Sequence, residues 1–274
     1  MSSMIDCMKR RVSVRTYDPA PLSSDQNATI AKILKSNSLG PFGTQVRLEL
    51  VDFAGADKAE AKKYGTYGFI RGAHCFIAGA VADGPHALLD FGYCFEKTVL
   101  ELTDVNFGTC WMALTYNEKG FLERMNPGPG EALVAVSPVG VPSKEWSVLD
   151  RLVKALARPR NRKPWDRLFF ETAMGMPLSP DKAGSYGAAL ECVRLAPSGA
   201  NYQPWRIVKA SSANVFHFFT IRKGARTSGE LHAGIAMCNF GLAASELGLA
   251  GTWNVLGDVA CPEHLDYCVS WMGE

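Results

Sequence analysis

Two stretches of this chain occur twice, in the same order, and that repeat limits what it can fold into. Pro21-Leu-Ser-Ser-Asp-Gln26 resembles Pro177-Leu-Ser-Pro-Asp-Lys182 at an offset of 156. Leu89-Asp-Phe-Gly-Tyr-Cys-Phe, running on to Asn106-Phe-Gly-Thr-Cys-Trp111, resembles Leu231-His-Ala-Gly-Ile-Ala-Met, running on to Gly248-Leu-Ala-Gly-Thr-Trp253. Here the offset is 142, with Gly92 on Gly234 and Trp111 on Trp253. A repeated unit with an apolar face buries that face most readily against its own copy.

The repeated stretches carry local structural signals. Ser23 or Ser24 can cap a helix, and Ser23-x-x-Gln26 has capping-box spacing. Ser179 can cap the matching helix, with Pro180 at its first position. The longer stretches each predict a helix of about 17 residues, followed by a turn and a strand. In the first, Leu88, Gly92, Phe95, Val99 and Leu102 form one apolar seam. In the second, small residues such as Gly234, Ala236 and Gly241 allow another helix to approach closely. The fall in offset from 156 to 142 places a longer insert in the first copy, between about Val51 and Leu88. Each copy then reads helix, turn, capped helix, Gln-containing loop, strand, long helix, strand. The expected division is a first copy at 1–153, a basic, Pro-rich crossing segment at 154–167 and a shorter second copy at 168–274.

The 274 residues suffice for one large domain or two ordinary ones, and 47% hydrophobic with 20% charged residues suits a soluble globular chain. A formal net charge of +2 gives no reason to expect nucleic acid or a membrane surface as a partner. The N-terminus lacks the apolar core of a secretory signal, and no apolar run approaches a bilayer span, so a cytoplasmic location is expected. The eight cysteines form no C-x-x-C pair and read as reduced, buried thiols. The five histidines show no metal-ligand spacing, and no metal is expected. There is no P-loop, G-x-G-x-x-G or G-x-S-x-G.

Two local patterns carry chemistry. In Arg11-Val-Ser-Val-Arg-Thr-Tyr17, residues 11, 13 and 15 project to one side of an extended segment. Two guanidiniums and a hydroxyl suit a phosphate, although short basic stretches also occur as plain solvated surface. Ala196-Pro-Ser-Gly-Ala-Asn-Tyr-Gln-Pro-Trp205 is a loop between a helix and a strand. Its Ser198, Asn201 and Gln203 offer groups that can read a polar ring edge, or brace an ordinary turn.

Taken together and in this order, R-x-S-x-R-x-[FY] and P-S-x-x-N-x-Q-P-W resemble the FMN-dependent nitroreductase family. Gly-Thr-Cys-Trp at 108–111 resembles that family's segment after its long central helix. The match is to a fused, internally duplicated branch in which one polypeptide replaces the usual homodimer. The resemblance implies an α+β fold: two copies, each with a mainly antiparallel sheet flanked by helices, packed as a pseudo-dimer through their long central helices. It implies FMN as cofactor and NAD(P)H as cosubstrate. Arg11 and Ser13 would hold the phosphate, with Arg15 at the ribityl chain or the N1/O2 edge. Arg160 and Arg162 would form a second basic pair at the phosphate. Pro197, Ser198, Gly199, Asn201 and Gln203 would come from the second copy. Backbone near Ala113 and Leu114 would face flavin N5, where the family usually has glycine or an acidic residue. No side chain is expected to be catalytic, because the flavin does the chemistry. The expected activity is hydride transfer from NAD(P)H to a small-molecule acceptor such as a nitroaromatic or a quinone. The alternative is a non-catalytic flavin or small-molecule binding protein that kept the fold.

The repeat also predicts how many flavins bind. At an offset of 156, Arg11, Ser13 and Arg15 map to Arg167, Phe169 and Glu171, which cannot hold a phosphate. At an offset of 158, Pro197, Ser198, Asn201 and Trp205 map to Leu39, Gly40, Gly43 and Arg47, and only Gln203 keeps its type, as Gln45. One arm and one loop survive, and they belong to the same site. A single flavin in a chain that works as a monomer is therefore expected.

Overall fold

The computed structural model describes residues 3–53, 70–113, 116–143, 161–211, 214–222 and 229–274. The order is α1 (Met4–Arg10), α2 (Ser24–Ser36), β1 (Val46–Asp52), β2 (Cys75–Ala82), α3 (Ala87–Asp104), β3 (Gly108–Thr109), α4 (Glu118–Met125) and β4 (Glu131–Gly140). After the crossing come β5 (Phe169–Glu171), α5 (Pro180–Ala183), α6 (Gly187–Leu195), β6 (Trp205–Lys209), β7 (Val215–Ile221), α7 (Gly229–Glu246), β8 (Gly251–Asn254) and β9 (Leu265–Gly273). The α2 helix starts at Ser23 in a full capping box with Gln26, and α5 starts at Ser179 with Pro180 in its first turn.

Each half builds its own sheet. The first has the order β1-β2-β4-β3, and the second has β5-β6-β7-β9-β8. The four matched strands are antiparallel in both, so the mainly antiparallel α+β architecture is confirmed. Both central pairs carry an irregularity at the same place, between Gly79 and Ala80 in one and Phe218 and Phe219 in the other. A bulge re-aims a strand and fixes its register, so two at matched positions mark the same unit used twice. Those bulges align Val46 with Trp205, since Val46 pairs with Val81 and Trp205 with Thr220. The register thus corrects the offset of 158 by one residue, and Gln45 lies opposite Pro204 rather than Gln203.

The two units meet at α3 and α7. A side chain on Gly92 would run into the backbone of Leu231 and Gly234, and one on Gly234 into that of Leu89 and Gly92. The contact is reciprocal, as in an isologous interface. Both glycines are needed for helix axes this close. Leu89 and Leu100 of α3 join the core of the second unit, and Leu231 of α7 joins the core of the first. The α3 helix is buried well beyond the expected single seam, because its own sheet covers one side and α7 another. Fully buried positions include Asp90 and Glu96.

One expectation is overturned. Phe169–Glu171 is not a decayed counterpart of the Arg11–Arg15 arm. It forms β5, which pairs in parallel with β6 at the edge of the second sheet, with Phe169 in the core. The arm instead lies at the opposite edge of the first sheet, where Ser13 bridges to Thr109 of β3. The longer insert of the first copy lies between β1 and β2, whose join spans 53–74 where that of β6 and β7 spans 210–214. Most of that insert lies outside the described residues. Among the described residues, no helix is long and apolar enough to cross a membrane.

Candidate functional site

The arm leaves α1 in extended form and is hydrogen-bonded on both sides. Val14 N–H donates to Thr109 O (2.8 Å), Arg71 N–H to Arg15 O (2.9 Å) and Tyr17 N–H to Arg71 O (2.9 Å). The buried Tyr17 hydroxyl closes the turn by donating to Val14 O (2.7 Å). With the backbone held this way, Arg11, Ser13 and Arg15 alternate along one strand-like segment. All three are half-buried. The Ser13 hydroxyl bonds the Cys110 thiol, whose pKa is raised by burial against the pull of Arg15, Ser13 and Arg11.

The loop from the second unit is braced by the end of the crossing segment. Arg162 donates from Nη1 to Ala196 O (2.8 Å) and Asn201 Oδ1 (2.9 Å), and from Nη2 to Leu195 O (2.6 Å). Lys163 N–H donates to Gln203 Oε1 (2.8 Å), and Gln203 Nε2 donates to Asn201 O (3.0 Å). Gln203 N–H donates to Ser198 Oγ (2.9 Å). Pro197 and Gln203 are buried, Ser198 and Asn201 half-buried, and Gly199 is exposed. Ala200 (φ 48°) and Gln203 (φ 48°) hold left-handed backbone that costs non-glycine residues on the order of 1 kcal/mol each. The bracing contacts offset that strain.

Arm and loop come together over α3. Glu96 is fully buried and accepts from Trp111 Nε1 (2.7 Å) and from Asn239 Nδ2 of α7 (3.4 Å). Burial pushes its carboxyl up to about 7, opposed by Arg11, by the bonds from Trp111 and Asn239, and by Arg162. Arg162 is drawn down to about 10, first by burial and then by Arg11. Arg11 from one unit and Arg162, which holds the loop of the other, thus share one electrostatic neighbourhood.

The free donors there suit an anion. Among the described residues Arg11 makes no side-chain hydrogen bond, and Arg15 makes a single long one, to Ser13 O (3.5 Å). Arg162 Nε is buried without a partner. An orphaned buried N–H near the uncommitted Arg11 guanidinium fits a phosphate group, and Arg15 stands on the same arm. The terminal nitrogens of Arg162, by contrast, are committed to the loop, so its first role is to hold Leu195–Asn201 in place. Arg160 and Leu114 lie outside the described residues. Ala113 is half-buried after Met112, whose N–H is already used by Val136 O (2.9 Å).

Several contributors escaped the sequence reading. Glu96 and Asn239 sit inside apolar helices and follow no motif. His232 accepts from Gly199 N–H (3.4 Å) and ties the loop to α7. Its matched residue in α3 is Asp90, which accepts from Phe42 N–H and Thr44 N–H, both at 2.9 Å. The repeat already paired Asp90 with His232, and that pairing was the available signal.

Comparison with known proteins agrees with this architecture. The model of a family described as "Putative TM nitroreductase" matches residues 3–253. Among solved structures, the chain is similar to one from Thermotoga maritima described as a "putative nitroreductase". The two are 17% identical, with 98% of this chain and 93% of that chain covered and a TM-score of 0.63. It is also similar to an FMN-dependent nitroreductase of Clostridium difficile (18% identical, 55% of this chain and 95% of that chain, TM-score 0.42). A third is a nitroreductase of Bacteroides fragilis with bound FMN (18% identical, 54% of this chain and 95% of that chain, TM-score 0.39). No curated protein matches the chain. With the family model spanning nearly all of its length, the chain belongs to this nitroreductase family.

Proposed function

We propose that the chain is an FMN-dependent oxidoreductase that takes hydride from NAD(P)H and reduces nitroaromatic, quinone or similar small-molecule acceptors, with one FMN per chain. The observation that carries this reading is the convergence of Arg11 and Arg162 on buried Glu96. It joins the arm of one unit to the loop of the other. FMN, when bound, supplies the carrier that separates donation by a nicotinamide from delivery to an acceptor. Arg11 and Ser13 would bind its phosphate, and Arg15 would place positive charge along its polar edge. Arg162 would hold the Pro197–Gln203 loop, presenting Ser198, Gly199 and Asn201 as a rigid wall. Ala113 and Leu114 would close the opposite side, with Arg160 adding charge near the phosphate.

Among the described residues no segment bridges to β8 as Ser13 bridges to β3, and Phe169–Glu171 serves as an edge strand on the far side of that sheet. That supports one site per chain over two. We divide the chain at 1–153, 154–167 and 168–274, and we read the working unit as a monomer of the cytoplasm. A visible spectrum of the purified protein with added FMN is the first test, and a protein that binds none overturns the proposal. Arg11→Ala with Ser13→Ala should weaken FMN binding about 100-fold, since two bonds to a charged group are lost. An unchanged affinity removes the assignment. Bound FMN that neither NADH nor NADPH bleaches would instead make the chain a flavin-binding protein without reductase activity.

A further inference from the structure

The outer faces of the two sheets, away from α3 and α7, have diverged. In the first unit α4 covers that face. Phe121 meets Phe53 and Phe76 edge-on (ring centroids 5.4 Å apart in each case), and Phe121 and Met125 fill the space over Ala78, Ala80 and Val136. In the second unit the chain between β8 and β9 is a loop instead, and beneath it lies a cavity of about 770 Å³. That volume falls in the range of small-molecule sites. Its walls include Met174, Val208, Phe219, Leu256 and Val259, which are apolar, and His217.

The bulge-matched register shows what changed. His217 pairs with Ser270 where the first unit pairs Ala78 with Val136. An apolar pair has become a polar one beside Val208 and Phe219, which are apolar. The new groups form a chain with a direction. Leu256 N–H donates to Tyr267 Oη (3.0 Å), and Tyr267 Oη lies 2.8 Å from Ser270 Oγ. Ser270 Oγ lies 2.7 Å from His217 Nδ1. The Leu256 N–H already fills an acceptor position on the tyrosine, whose single hydroxyl proton is then placed to go to Ser270. The serine proton then goes to His217 Nδ1. That order uses every hydroxyl proton within the chain. It leaves the proton of the neutral imidazole on Nε2, the nitrogen left free to face the cavity. Burial draws the His217 pKa down, which favours the neutral ring. Asp258 stands exposed among the lining residues and disfavours an anionic guest.

We propose that this cavity is a second binding site, separate from the arm and loop, for an uncharged, apolar molecule whose carbonyl or similar acceptor takes the His217 Nε2–H. The site does not depend on the flavin reading. The bonded chain Leu256–Tyr267–Ser270–His217 fixes the loop to the sheet and the imidazole to one tautomer. Recognition then needs no rearrangement of the donor.

Nile red, an uncharged dye with a carbonyl acceptor, serves as the probe, with the full-length protein titrated by fluorescence. Saturable one-to-one binding is expected, with no displacement by FMN. His217→Ala with Ser270→Val, which restores the first unit's pairing, should weaken it about tenfold through loss of one hydrogen bond. Ala260→Trp, on the exposed covering loop, should block the cavity without touching the sheet. It keeps the test valid if the double variant does not fold. Imidazole ¹⁵N spectra should show His217 protonated on Nε2 and shifted by the dye. Absence of saturable binding, full displacement by FMN, or equal affinity in the wild type and Ala260→Trp each overturns the proposal.

Discussion

The α3–α7 contact and the two loop junctions above it diverge in opposite ways. At the helix contact the copies still match residue for residue, Gly92 against Gly234 and Leu89 against Leu231. Between those matched residues they differ. Asp90 clamps its loop with two backbone bonds at 2.9 Å, whereas His232 accepts from Gly199 N–H of its loop at 3.4 Å. Glu96 has Cys238 as its counterpart at the offset of 142. Packing constrains both copies alike, because each glycine is the other's partner. The polar groups answer to different tasks. One loop is tied shut by a carboxylate, and the other is braced by Arg162 and leaves cationic donors free.

That contrast can be broken experimentally. The largest effect is expected at the matched contact. Gly92→Val and Gly234→Val should each cost about 4 kcal/mol or prevent folding, because each added side chain meets backbone. Thermal melts that differ greatly between them would show the contact to be less reciprocal than it looks. Next, Asp90→Ala removes the acceptor of two backbone N–H groups in a buried place. A loss of about 3 kcal/mol in urea midpoint experiments is expected.

Glu96 sharpens the contrast through pH. Its carboxyl is raised from 4.5 to about 7, so its contribution to stability is full below 4.5 and is lost as pH rises through 7. In the flavin-free protein, stability should therefore decline across that window with a slope approaching ~1 kcal/mol per pH unit. Glu96→Gln keeps an acceptor for Trp111 and should flatten it. A slope that survives the substitution would assign the titration elsewhere. The smallest effect is expected at His232→Ala, about 1 kcal/mol or less, since its bond to the loop is long (3.4 Å) and Arg162 still braces that loop. A loss equal to that of Asp90→Ala would erase the distinction between the junctions.

What the sequence disclosed follows from how local each signal is. Ser23 with Gln26 and Ser179 with Pro180 carry their caps within four residues, so both helix starts were legible. The repeat exposed Gly92 and Gly234, and with them the helix contact. The arm and loop were recognisable as motifs, but their internal bracing was not. Arg162 read as a phosphate ligand because nothing nearby in sequence shows that Leu195 O, Ala196 O and Asn201 Oδ1 take its protons. Phe169–Glu171 was misread because its pairing with β6 is a long-range choice that an offset cannot reveal. Glu96 was invisible because one carboxylate in an apolar helix resembles any surface position until Trp111 and Asn239 close over it.

The helix contact also bears on heredity. In a dimer of identical chains, one altered codon changes both sides of such a contact at once, and no position can be tried out singly. Here Gly92 and Gly234 are separate letters of one gene, as are Ala78 and His217. Each copy can be edited while the other holds the framework. One sheet could thus exchange an aromatic-packed face for a cavity with a histidine without undoing its twin.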